Sequence, residues 1–295
     1  MSNRIAQAAQ LACLLEVSAA KPGNVNRLHD FSDLHFEDFL RSAMAIGPAM
    51  ENANRYSVGQ IVSHAIQDTR RIVKTNANLG IVLLLAPLVK ACSIRASDVE
   101  SGKTETEDLA RLREHLESIL AGLTVNDARL TYEAIRTVHA GGLGKVNQSD
   151  INEEPTITLL QAMALAQKSD SIASEYVSRY AITFEIGFPA LKETMGSGSD
   201  LPSSIVQAFL VILSCVPDTL IARKKGKEKA IQVSGWARQV VEKGGVLTPG
   251  GQAAITELDR GLRKDGHNLN PGTTADLTAA AVFLHLYRQN VLRSY

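Results

Sequence analysis

Residues 109–123 read LARLREHLESILAGL. Leucine or isoleucine stands at 109, 112, 116, 119/120 and 123, steps of three and four that place the apolar side chains on one side of an α-helix and the charges on the other. The same period recurs outward in both directions. Phe36, Phe39/Leu40, Ala43 and Met50 mark one further face, and the apolar segment from Ile205 to Leu213 marks another. Alternation by twos, which a half-buried strand requires, is almost nowhere present. The run LGIVLLLAPLV at 79–89 falls well short of the about 20 residues that cross a bilayer and reads as a buried core helix.

Start and stop signals agree with this period. Ser57 precedes VGQIVSHAIQDTRRIV, Thr124 precedes VNDARLTYEAIRTV, and Pro202-Ser203-Ser204 precedes IVQAFLVILSCV, each a residue type that opens helices. Turn residues fall between the segments, at Lys21-Pro22-Gly23, Gly141-Gly142-Leu143-Gly144, Gly196-Ser197-Gly198, Gly244-Gly245, Thr248-Pro249-Gly250-Gly251 and Asn270-Pro271-Gly272. Ser97–Glu107 reads as a polar surface connection, and no linker longer than the loop around Gly144–Pro155 separates two cores. The expectation is a single all-α domain over residues 1–295, built from about ten to twelve packed helices, because a helix without a sheet must bury its stripe on other helices.

Composition narrows the partners. The 31 Lys+Arg balance 31 Asp+Glu, so the chain has no bulk field to hold nucleic acid or an anionic membrane surface, and small-molecule partners are expected. A homo-oligomer is left open. Aromatic residues make up 5%, so alanine, leucine and isoleucine must fill the core, which suits close helix packing. Cys13, Cys92 and Cys215 form no CxxC pair and read as buried thiols of a reducing compartment. Gln7, Gln10 and Glu16 interrupt the N-terminal apolar stretch at helical spacing, so it reads as the first helix of a cytoplasmic protein rather than a signal peptide.

Five polar stretches border apolar segments. In Lys21-Pro22-Gly23-Asn24-Val25-Asn26, Lys21 offers a point charge for a phosphate, or completes a helix C-terminus. In His29-Asp30-Phe31-Ser32-Asp33 the acids could hold Mg²⁺ or cap the next helix. Lys74-Thr75-Asn76-Ala77-Asn78-Leu79-Gly80 sets two asparagines and a threonine at the mouth of the most apolar helix, where an anion site is ready-made. Glu133 and Arg136 stand three apart on one helix face, able to pair, and the glycine turn with Gly141 and Gly142 that follows is shaped like a phosphate cradle. In Asn270-Pro271-Gly272-Thr273-Thr274-Ala275-Asp276, Thr273 or Thr274 could cap the last helix while Asp276 in its first turn could face a cleft. Asp150, Asp170, Glu175 and Glu185 are further carboxylates on apolar-periodic segments. GxGxxG, P-loop, HExxH and GxSxG patterns are absent, the seven histidines lack ligand spacing, and Arg223-Lys224-Lys225-Gly226-Lys227 reads as a solvated turn.

In this order the stretches KPGNV, DFSDL before FLRSA, TNANLG, DARLTYEAIR followed by GGLG, and NPGTTADLTAAAVFL resemble the triphosphoribosyl-dephospho-CoA synthase family, over about residues 10–288. The resemblance implies an all-α enzyme using Mg²⁺ and ATP. Such an enzyme joins the triphosphoribosyl part of ATP to the 2′-hydroxyl of dephospho-CoA, releasing adenine and making a prosthetic-group precursor for an acyl carrier protein. It further implies phosphate contacts from Lys21 and Arg136, and ribose or phosphate contacts from Asn76 and Asn78. Asn24, Glu133, Gly141 and Gly142 would belong to the same substrate-binding set. Asp33, Asp170 and Asp276 would supply general-base function, and Asp33 and Asp276 metal ligation.

Two departures bear on the substrate. Family members of the citrate-lyase type typically read NTHKG where this chain has Asn76-Ala77-Asn78-Leu79-Gly80, and the histidine expected two residues before Asp33 is Phe31. The lost cation keeps a second reading in play: an enzyme of the same fold acting on another nucleotide or phosphoribosyl substrate, as in one-carbon coenzyme (methanopterin or methanofuran type) biosynthesis. A third, of another class, is a non-catalytic helical binding protein in which every polar helix mouth is only a cap.

Overall fold

A computed structural model describes residues 2–75, 77–95, 105–139 and 153–289. Its helices are α1 (Ser2–Ser18), α2 (Phe36–Ala45), α3 (Gly47–Glu51), α4 (Val58–Ile72), α5 (Leu79–Arg95), α6 (Glu105–Ala121), α7 (Val125–His139), α8 (Leu159–Ala166), α9 (Ser171–Ser178), α10 (Phe188–Gly196), α11 (Leu201–Cys215), α12 (Thr219–Lys225), α13 (Lys227–Glu242), α14 (Pro249–Arg263) and α15 (Gly272–Tyr287). A π-helical turn, Ile182–Gly187, runs into α10, and a 3-10 turn, Gly245–Leu247, precedes α14. Among the described residues there is no strand, only an isolated bridge between Asn26 and His29. The all-α architecture is as the periodicity predicts. The excess over ten to twelve helices comes from short pieces such as α3, α9 and α12, which are too brief to show a period.

One hydrophobic cluster runs from Ile5 on α1 to Tyr287 on α15. Its axis is α5 beside α15. In α15 every residue is buried except Gly272 and Asp276, and alanines at 279–281 let neighbours approach closely. Pro87 lies inside α5 and has no N–H to give to the carbonyl one turn back. Tyr176 and Tyr180 answer this: their hydroxyls donate to the Leu83 and Leu84 carbonyls at 2.7 and 2.9 Å.

Local caps set several helix starts. Ser57 accepts from Gln60 N–H while Gln60 returns a bond to Ser57 N–H, and Thr124 pairs with Asp127 in the same way. Two expected starts need correction. α11 begins at Leu201 with Asp200 accepting from Ser203 N–H, because a carboxylate one position earlier satisfies the free N–H that the serines were expected to serve. α15 is opened by neither Thr273 nor Thr274: its N-cap is Pro271, which has no capping side chain. The carboxylate of Asp218 reaches across instead and accepts from Thr274 N–H and Oγ1 at 2.7 and 2.8 Å. With the start at Gly272, Asp276 lies just past the first turn rather than within it.

No single helix among the described residues is long and apolar enough to cross a membrane.

Candidate functional site

The N-terminal ends of four helices meet around Asp276. Asp218 caps α12 through Leu220 and Ile221 N–H and ties that end to α15 through Thr274. The α12 residue Thr219 donates to Thr273 at 3.1 Å and accepts from Ser171 N–H, the first residue of α9, at 3.4 Å. The fourth end is that of α5: a Cβ built on Gly80 would lie 2.0 Å from Asp276 Oδ2 and 2.9 Å from Ile172 Cδ1 of α9. Only glycine leaves room here for the carboxyl. Each helix end contributes a partial positive charge, while the first-turn N–H groups of α9, α12 and α15 are taken up by Asp170, Thr219 and Asp218.

Asp276 itself is walled in by protein yet keeps part of its surface open. Among the described residues its carboxyl accepts no hydrogen bond. Burial, together with the acids Glu16, Asp218 and Asp170, pushes its pKa well up, and Arg223 opposes that shift. Asp218 is also raised by burial, but both of its oxygens are engaged: Oδ1 by the two α12 N–H groups and Oδ2 by Thr274. Asp170 caps α9 with Oδ1, accepting from Ile172 and Ala173 N–H at 2.8 and 3.4 Å, and turns Oδ2 toward Arg223 Nη1 at 3.3 Å.

Asp33 stands on the rim. Its side chain is 66% exposed and lies 3.5 Å from His267 Nδ1, whose ring also packs on Phe31. Beside it, Lys224 donates to the His267 carbonyl at 3.1 Å and feels both Asp33 and Asp218. Among the described residues no three His, Cys, Asp or Glu side chains come together as a metal-holding group. Mg²⁺ asks for only one or two protein carboxylates when phosphate oxygens complete its shell, and Asp33 and Asp170 are hard oxygen donors of that kind.

The remaining expected residues are distributed differently. Lys21 is fully buried. Its ammonium pairs with Glu16 at 2.9 Å and donates to the Glu16 and Ala19 carbonyls, so it closes the C-terminus of α1 from inside the fold. Asn24 is buried and joins the first loop to the last, donating to the Pro271 carbonyl at 3.4 Å. Asn78 is buried too, donating to Thr69 on α4 at 3.1 Å and to the Ser42 carbonyl on α2 at 3.5 Å. Asp30, not Asp33, performs the capping beside α2, accepting from Phe36 N–H at 2.7 Å. Asn76, Gly141, Gly142 and Asp150 lie outside the described residues.

Glu133 does not pair with Arg136. It takes Arg129, one turn back, at 2.8 Å. Glu133, Arg136 and Thr137 instead line a cavity of about 350 Å³ with Ser63, Ile66 and Gln67 of α4. α4 and α7 run side by side from a backbone contact at their starts, where Gly59 N–H donates to Asp127 Oδ1 at 2.8 Å and a Cβ on Gly59 would strike Asp127 Cα at 2.6 Å.

Reading along the chain missed Asp218, Arg223 and Lys224. Asp218 precedes a seven-residue helix, too short to reveal a cap by period. The basic run, expected to be solvated, turns its first two cations toward the acids of the mouth.

The chain matches the family described as CitG, ATP:dephospho-CoA triphosphoribosyl transferase, over residues 2–294. A protein of Pseudomonas savastanoi pv. phaseolicola named as a probable 2-(5''-triphosphoribosyl)-3'-dephosphocoenzyme-A synthase is 29% identical over 153 residues, which cover 45% of this chain and 52% of that protein. A namesake from Pseudomonas paraeruginosa is 34% identical over 98 residues, 33% of each chain. The chain thus aligns with about half or less of the length of these relatives. A crystal structure from Archaeoglobus fulgidus, whose protein carries the name of a triphosphoribosyl-dephospho-CoA synthase, superposes with a TM-score of 0.63 at 28% identity, covering 84% of this chain and 97% of the other.

Proposed function

Because the chain belongs to the ATP:dephospho-CoA triphosphoribosyl transferase family, we propose that it transfers the triphosphoribosyl group of ATP to the 2′-hydroxyl of dephospho-CoA and releases adenine at the mouth around Asp276. The observation that carries this reading is the convergence of four helix N-termini on one carboxyl that, among the described residues, accepts no hydrogen bond.

The chemistry asks for three things. A triphosphate must be held, and the converging positive ends of the helix dipoles supply potential for it. Departure of adenine leaves positive charge on the sugar ring, which a nearby carboxylate stabilises. The attacking hydroxyl must lose its proton as its oxygen bonds to the anomeric carbon and the bond to adenine breaks. Asp276, whose carboxyl accepts no hydrogen bond among the described residues, takes that proton. The proton leaves with adenine. In this reading Asp170 and Asp33 would hold Mg²⁺, which would supply neutralisation of phosphate charge. Arg136 and Glu133 belong to the α4–α7 cavity, which is sized for a small polar part of a substrate.

The test is purified protein with Mg-ATP, with and without dephospho-CoA, followed by chromatography for free adenine. Adenine that depends on dephospho-CoA supports the family reaction. Adenine absent under both conditions, with no thermal stabilisation by Mg-ATP, overturns it and restores the binding-protein reading. A second reading keeps the scaffold but changes the acceptor or nucleotide. Asn78 and Leu79 favour it, because both are buried and present no cation where citrate-lyase-type relatives have one. Stabilisation by Mg-ATP without adenine release is its signature.

A further inference from the structure

We propose that Arg223, with Lys224 beside it, is the phosphate clamp of the Asp276 mouth, and that a bound polyphosphate replaces Asp170 as the partner of the Arg223 guanidinium. The inference rests on the mouth being an anion site, as argued above, but assigns its cations from residues that were expected to be solvated.

A guanidinium carries five N–H donors in a planar fork that matches phosphate oxygens two at a time. Among the described residues Arg223 makes one hydrogen bond, to Asp170 Oδ2 at 3.3 Å, with its side chain 52% exposed. That contact is long for a charge-assisted bond, which is usually 2.7–2.9 Å. An exposed pair of this kind contributes little to stability, so exchanging it for a phosphate costs little. Asp170 is already engaged by the α9 cap through its other oxygen and remains in place when Arg223 leaves. Lys224 is anchored through the His267 carbonyl, between Asp33 on the rim and Asp218 beneath. Arg223 through Asp170 and Lys224 through Asp218 thus border two of the acids that act on Asp276. Lys21, by contrast, has its ammonium enclosed with Glu16 and two carbonyls.

The probe is inorganic tripolyphosphate, titrated into the full chain while the melting temperature is followed, with Arg223→Gln, Arg223→Lys and, as a control, Arg260→Gln. Arg260 pairs with Glu257 on the exposed face of α14. The expected result is stabilisation of the wild type, a half-saturating concentration raised about tenfold or more in Arg223→Gln, an intermediate value in Arg223→Lys because charge survives without the fork, and no change in Arg260→Gln. In the adenine assay Arg223→Gln should raise KM for ATP by a similar factor while kcat changes less, a split that a merely structural role would not give. Tripolyphosphate binding that is equal in Arg223→Gln and wild type overturns the clamp, as does failure of the wild type to bind it. Loss of binding in Arg223→Gln from a wild type that releases no adenine would leave the clamp standing and sink the proposed reaction, so the two fail separately.

Discussion

Glu175 on α9 and Asp276 on α15 are both enclosed acids. Glu175 is fully provided for: its oxygens accept from Ile182 N–H at 2.8 Å, Thr183 N–H at 2.9 Å and Thr183 Oγ1 at 2.5 Å. In return it holds the start of the π-helical turn against the two residues of left-handed backbone, Arg179 and Tyr180, at φ 56° and 59°. Among the described residues Asp276 accepts nothing, and the acids Glu16, Asp218 and Asp170 act on it together with Arg223. Burial raises both carboxyls, Glu175 to about 7, so a raised pKa does not tell them apart. Satisfaction does. A buried acid with every lone pair used organises the fold, whereas one without partners beside helix N-termini is placed to meet a ligand.

The sharpest way to break this contrast is to neutralise each acid in turn. Asp276→Asn should lower adenine release by about 10²–10⁴-fold, the usual worth of a positioned base, while the melting temperature holds or rises because like-charge repulsion is relieved. Glu175→Gln should do the opposite. An amide nitrogen placed against N–H donors loses a bond and costs about 1–3 kcal/mol in denaturant unfolding, with turnover per folded molecule nearly unchanged. If Asp276→Asn keeps full activity, the unsatisfied carboxyl is not the reacting group.

Gly80→Ala sharpens the same point through space alone. Its new Cβ would sit 2.0 Å from Asp276 Oδ2, so the carboxyl or α5 must shift. Loss of activity should exceed the overpacking cost of about 1–3 kcal/mol in stability, measured by adenine release beside thermal melting.

pH separates the two regions more gently. A carboxyl whose folded pKa lies above its unfolded value binds more protons when folded, so its contribution is complete below the unfolded value and is lost as pH rises through the folded one. For Glu175, moved from 4.5 to about 7, stability should fall by about 3 kcal/mol across that window. Asp218, Glu16 and Asp276, all raised chiefly by burial, add in the same direction. Denaturation curves at a series of pH values check the slope, and Glu175→Gln should flatten it. The smallest expected effect is at the surface pair of Arg129 and Glu133, both substantially exposed: Arg129→Gln should change stability by less than about 0.5 kcal/mol.

Legibility along the chain followed the range of each interaction. The long amphipathic helices were visible because their period spans several turns, and the caps at Ser57 and Thr124 because each partner lies three residues on. Asp170 and Asp276 stood out as acids on apolar segments, and the structure brings both to one mouth. Short α9 and α12 hid their caps, and of the two readings of Lys21 the helix C-terminus is the one found, with the ion pair to Glu16 not legible in the sequence. An ion pair five residues back and a lysine reaching a phosphate draw on the same residue types.

The sequence alone determined that this protein is all helix, with the helices of 79–95 and 272–287 too apolar to lie anywhere but the centre, since period and hydrophobicity are properties of consecutive residues. It also determined which polar stretches border that centre. Only the tertiary structure decided which of them meet: Asp218 crossing to the start of α15, Gly80 giving its missing side chain's volume to Asp276, and Arg223 facing Asp170 across 53 residues of chain. Those partners are separated by tens to hundreds of residues, and nothing in local propensity records a contact that exists only once the core has brought the helix ends together.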